Sequence, residues 1–88
     1  MGVGKMTRET VREEIRARVA ELTERDTAEI TDTASFADEL GFDSLMGIEL
    51  VVGLEMDFGV RVPDDQIEKV DSLDETVALV IKHLPDES

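Results

Sequence analysis

Apolar residues return at intervals of three and four along this chain, in three blocks set apart by polar stretches. No stretch alternates apolar and polar residues over the length of a strand. This spacing constrains the fold more than any other feature, because it is the period of a helix buried along one face. The first block places Val11, Ile15, Val19 and Leu22 on a helix from about Thr7 to Thr23, with Thr10 and Glu13 offering a capping box at its start. The second places Leu45, Ile48, Val51, Val52, Leu54 and Phe58 on a broad apolar face. That helix starts at Asp43 or Ser44, ends at Phe58, and has Gly59 as a left-handed C-cap. The third carries Leu73, Val77, Val80, Ile81 and Leu84; Ser72-x-x-Glu75 opens it as a capping box and Pro85 stops it.

The connecting segments are readable in the same terms. Glu24 to Ala34 is a polar connection with Ile30 as an inward anchor, and Ser35 to Leu40 forms one short turn that delivers Phe36 and Leu40 to the core before Gly41 ends it. Pro63 disfavours helix in the residue before it, so Val60-Arg61-Val62 is extended. Asp64 to Val70 makes a short helix with acids at its N-terminus, where the helix dipole favours them. The expected fold is all-α: a small four-helix bundle of three main helices and one short one, with a long first loop. One domain over residues 7–84 is expected, with residues 1–6 a flexible N-terminus and 85–88 a flexible acidic tail. Gly47 and Gly53 fall inside the second main helix, where each costs about 1 kcal/mol against alanine. Close packing, close approach by something external, or neutral drift would account for them.

Composition removes whole classes of function. The 88 residues include no cysteine, which excludes disulfides and thiolate metal sites, and a single histidine, His83, which leaves no basis for a histidine metal cage or a serine–histidine relay. His83 reads as a solvated residue near a helix end. With three phenylalanines, no tryptophan or tyrosine, and a formal charge of −13, the chain offers bases little to stack on and repels phosphate backbones and anionic lipid. No membrane span or secretory h-region is present, so a cytoplasmic, monomeric protein is expected, without nucleic-acid or membrane partners. The P-loop, EF-hand and nucleophile-elbow patterns all fail. No catalytic residues and no metal ligands emerge.

The charge is uneven. Residues 1–25 carry six bases against five acids, whereas residues 26–88 carry three bases against seventeen acids. The acidic part includes the junction Glu39-Leu40-Gly41-Phe42-Asp43-Ser44-Leu45, where a serine stands at the first residue of a helix between apolar anchors. A hydroxyl at such a corner is reachable from several directions, and the helix start tolerates a phosphate beside it. Ser44 is well placed to be modified by a phosphodiester and badly placed to be a catalyst.

Gly41-Phe42-Asp43-Ser44-Leu45, followed by Ile48-Glu49-Leu50, resembles the G-x-D-S-L…E-L signature of acyl carrier proteins. Ile30, Ser35-Phe36-x-x-Glu39-Leu40, Phe58-Gly59-Val60 and Val62-Pro63-Asp64 also fall where that family has counterparts, so the resemblance runs from about Thr7 to Leu84. It implies a non-catalytic carrier with a covalent 4′-phosphopantetheine arm on Ser44, transferred from coenzyme A by a Mg²⁺-dependent phosphopantetheinyl transferase. The arm's thiol would hold acyl groups as thioesters. The implied partners are a ketosynthase, an acyltransferase and other synthase enzymes with basic docking patches. Asp43, Glu49, Glu55 and Asp57 match the family's acidic docking positions; Leu45, Met46 and Met56 would add an apolar component, methionine being an adaptable contact residue. The Gly-Phe-Asp-Ser-Leu form looks more like bacterial polyketide carriers than fatty-acid carriers, and the absence of Gly-Gly before the motif disfavours an amino-acid cargo. The chain ends, without a linker, favour a free-standing carrier. A second reading, from another class, is an acidic helical interaction module in which Ser44 is a helix cap or a phosphorylation site.

Overall fold

The computed structural model describes residues 7–84. The expected flexible ends at 1–6 and 85–88, and the stop at Pro85, lie outside the described residues. The three long helices are α1 (Arg8–Thr23), α3 (Ser44–Phe58) and α5 (Leu73–His83), with two four-residue helices, α2 (Phe36–Glu39) and α4 (Asp64–Ile67), between them. A 3₁₀ turn at Thr27–Glu29 shortens the long first loop, and no strand forms among the described residues. The all-α expectation holds, with α2 adding a second short helix to the one anticipated.

α1 is the central strut, packed against both α3 and α5. Its stripe of Val11, Ile15 and Val19 is fully buried and meets Leu50, Leu54 and Phe58 of α3 and Leu73, Val77 and Val80 of α5 in one core. Ile30 reaches that core from the loop, Phe36 and Leu40 reach it from the α2 turn, and Val60 and Val62 from the extended segment. Side chains of this size stabilise by about 1.5–3 kcal/mol each when fully buried, so these anchors hold the irregular segments as firmly as the helices.

The caps differ in detail from their sequence reading. Thr7, not Thr10, caps α1: its hydroxyl accepts the Thr10 amide at 3.1 Å, which places the helix start one turn earlier than a Thr10–Glu13 box would. Ser72 caps α5 by accepting the Glu75 amide at 3.2 Å, but the Glu75 carboxylate takes the amide of Asp71 at 2.7 Å, one residue before the cap. Gly59 closes α3 in the left-handed conformation as expected. His83 is half-buried rather than solvated, with its Nδ1 3.1 Å from the Leu79 carbonyl oxygen.

The larger correction concerns α3. Leu45, Ile48 and Val52, expected in the core, stand 62%, 61% and 49% exposed, and Met56 beside them is 78% exposed. The buried side consists of Leu50, Val51, Gly53, Leu54 and Phe58. A helix apolar on nearly every side cannot bury all of itself against two neighbours, and packing against α1 selects the Leu50–Leu54–Phe58 side.

Candidate functional site

Four successive residues turn the chain from α2 into α3, and each is tied down by a different force. Leu40 is buried and caps α2 through its amide on the Phe36 carbonyl. Gly41 takes φ +71, a left-handed conformation that favours glycine, and reverses the chain. Phe42 donates its amide to the Phe36 carbonyl at 2.9 Å and stacks its ring on that of Phe36, with centroids 4.7 Å apart. Asp43 caps α3: its Oδ1 accepts the Met46 amide at 2.9 Å and its carbonyl accepts that of Gly47 at 3.0 Å. Ser44 comes next, as the first residue of α3, and is exposed.

α2, on which Phe42 leans, is itself held from the other side of the molecule. Asp71, in the link between α4 and α5, accepts the Phe36 amide on its carbonyl at 2.7 Å and the Ala37 amide on Oδ1 at 3.1 Å. Its Oδ2 takes the hydroxyl proton of Ser35. The Ser35 hydroxyl in turn accepts the Asp38 amide, and the Glu39 carboxylate accepts the amide of Ser35. These donors hold the Asp71 carboxyl below the usual carboxylate range, the Ser35 hydroxyl first and the Ala37 amide second. Asp71 escaped the sequence reading because its partners are more than thirty residues away. Its only local signal is its place immediately before the Ser72 cap.

Beside the corner lies an open cleft of about 680 Å³ between α3, the α2 turn and the α4 region. Ser44, Gly47 and Val51 line it from α3, Phe36 and Phe42 from the α2 turn and the corner, and Ile67 and Val70 from the α4 region. The size is that of small-molecule clefts in general.

The acids expected at a docking face fall into four situations. Glu49 is exposed, and no cation pairs with it among the described residues. Glu55 is half-buried at the cleft, with Oε2 at a long 3.4 Å from the Val62 amide. Asp57 is engaged by Arg18 of α1, whose guanidinium is held further toward its charged form by that carboxylate. Asp43 is exposed but committed to its cap. Leu45 and Met56 are exposed and Met46 half-buried, so the structure brings Leu45, Ile48, Val52 and Met56 together as an exposed apolar stripe that begins at the residue after Ser44, with Ile48 and Val52 also lining the open cleft.

The corner thus presents an exposed serine hydroxyl at a helix start, with a cleft beside it. Residues 13–80 match the protein family described as "Phosphopantetheine attachment site". The chain belongs to that family. Its cofactor is therefore 4′-phosphopantetheine, held covalently, and carrier domains of this kind are non-catalytic. Among solved structures the domain is similar to the acyl carrier protein from Enterococcus faecalis, a protein described for novel structural components that contribute to its high thermal stability. The TM-score is 0.76 at 27% identity, covering 89% of this chain and 99% of that one. Among curated proteins no match was found. Among the described residues no helix is long and apolar enough to cross a membrane.

The Ser44 corner fits a phosphopantetheine group on the chain's own features. The hydroxyl is exposed, the start of α3 favours a phosphate, and the cleft leaves room for what extends from it.

Proposed function

We propose that Ser44 carries the 4′-phosphopantetheine group and that the protein is an acyl carrier, passing acyl groups between the enzymes of a polyketide pathway. The observation that supports Ser44 is its place: it is the hydroxyl residue among those that line the cleft, and it stands exposed at the first residue of α3. Ser35 is committed to Asp71 and Asp38, Ser72 caps α5 and is nearly buried, Thr76 is fully buried, and Thr7 and Thr10 bond each other at 3.0 Å. Ser44 is exposed, and the residues on both sides of it are held in place. The bound group supplies a thiol on which an acyl chain is held as a thioester, sulfur that the cysteine-free chain lacks.

The chain's own residues position and present. Asp43 fixes the helix start, Gly41 and Phe42 fix the approach to it, and Asp71 fixes the turn on which Phe42 stacks. A phosphopantetheinyl transferase, and then a ketosynthase or acyltransferase, approaches over α3. There it meets Leu45, Met46, Glu49 and Met56, with Asp43, Glu55 and Asp57 at the margins. The polyketide assignment rests on the Gly41-Phe42-Asp43-Ser44-Leu45 form and on Met46 and Gly47 after it.

Incubation with a promiscuous phosphopantetheinyl transferase and coenzyme A, read by intact mass, tests the attachment. The wild type is expected to gain one phosphopantetheine and Ser44→Ala none. A modified Ser44→Ala variant, or a wild type that several such transferases leave unmodified, overturns the assignment. For the pathway, the loaded protein is expected to turn over faster with a polyketide ketosynthase and its acyltransferase than with the fatty-acid set. The reverse order would reassign it.

A further inference from the structure

The two glycines inside α3 stand in opposite environments. A Cβ at Gly53 would lie 2.8 Å from Nε of Arg18, so the guanidinium packs over bare backbone there and would have to shift for a side chain. A Cβ at Gly47 would meet no atom within 4 Å apart from its chain neighbours and the backbone of its own helix. Yet Gly47 lies on the buried side of the helix, three, four, seven and eleven residues before Leu50, Val51, Leu54 and Phe58, all of which are buried. Glycine is the poorest helix former after proline, and nothing within the chain asks for it at this position. The vacant space adjoins the cleft, which Gly47 lines together with Ser44 one turn earlier.

We propose that Gly47 is a specificity-determining residue: the side chain it lacks keeps the Ser44 end of the cleft open, and so sets how bulky an acyl group the carrier shelters beside α3. The proposal rests on the assignment of Ser44 as the attachment point. Whatever is tethered to the Ser44 oxygen starts beside a cleft lined by Phe36, Phe42, Leu50, Val51, Ile67 and Val70, and the part of it that such apolar walls suit, when the arm folds back, is the acyl group at its far end. A side chain of leucine size at position 47 would fill cleft space next to Ser44. Alanine there is small enough to leave the path open while removing the helix penalty.

The test compares wild type, Gly47→Ala and Gly47→Leu as apo protein, after loading from coenzyme A, and after loading from octanoyl-coenzyme A. Intact mass is confirmed before each thermal melt. Apo Gly47→Ala is expected to melt roughly 4–8 °C above wild type, because alanine removes the helix penalty and meets nothing. In wild type and Gly47→Ala the octanoyl form is expected to melt above the form loaded from coenzyme A. Gly47→Leu is expected to lose more than half of that rise. The rise is taken within each variant, so a change in apo stability does not enter it. A full rise in Gly47→Leu, or no rise in wild type, overturns the role of Gly47 and leaves Ser44 as the attachment point. Failure of wild type to gain mass brings down both.

Discussion

At Asp71, a backbone carbonyl and both carboxylate oxygens meet the start of α2, and through Phe36 and Phe42 that contact reaches the corner that presents Ser44. Because the Asp71 carboxyl is held below its ordinary range in the folded protein, its contribution to stability is present above that range and is lost as pH falls through the folded value. Asp71→Asn is therefore expected to melt below wild type at neutral pH, with the gap closing as pH falls below about 4. Melts taken from neutral to acid pH check this, and a gap that stays constant would assign the loss to packing instead. The corner at which α3 starts was legible in the sequence, since glycine, a capping acid and an apolar anchor are local signals. The role of Asp71 was not, because a hydrogen bond across the fold leaves no spacing behind it.

α3 shows what periodicity leaves open at the scale of an element. Its extent, its start at Ser44 and its glycine cap were readable from the order of residues. Which side it buries was not, because Leu45, Ile48 and Val52 are as apolar as Leu50, Val51 and Leu54. The choice is made by α1, where Arg18 lies over Gly53 and pairs with Asp57, so that α3 presents a bare backbone to the guanidinium and keeps Leu45, Ile48, Val52 and Met56 outward. Two opposing effects then meet at position 53. Gly53→Ala alone is expected to change stability little, since the helix gain of about 1 kcal/mol is offset by displacement of Arg18 from Asp57. In an Arg18→Ala background the same substitution should gain the full amount of about 1 kcal/mol. Denaturant unfolding of the four proteins closes the cycle, and equal effects in both backgrounds would mean that Arg18 yields freely.

Across the whole molecule, the uneven charge of the sequence acquires a geometry. The cations of α1 face acids brought to them by the fold: Arg12 and Arg16 reach Asp32 at 3.5 and 3.1 Å, Arg12 and Arg8 reach Asp74 at 3.7 and 3.9 Å, and Arg18 holds Asp57. These pairs are partly exposed, so each is worth little alone; together they draw the first loop and α5 onto α1. They leave α3 with acids and no base of its own and the chain with a formal charge of −13. Self-repulsion of that size destabilises the compact state at low ionic strength, so added NaCl or MgCl₂ is expected to raise the melting temperature. A flat or falling response would mean that the surface pairs outweigh the repulsion. By itself the sequence determined the helical class, the extents of the long helices, the serine corner and the excess of acid, because periodicity, caps and charge are carried by neighbouring residues. Only the tertiary structure decided which side of α3 faces outward, which acids α1 neutralises, how Asp71 holds the corner, and that the space beside Gly47 is empty. Each of those depends on residues far apart in the chain meeting at a distance of a few ångströms, and the order of residues does not record such distances.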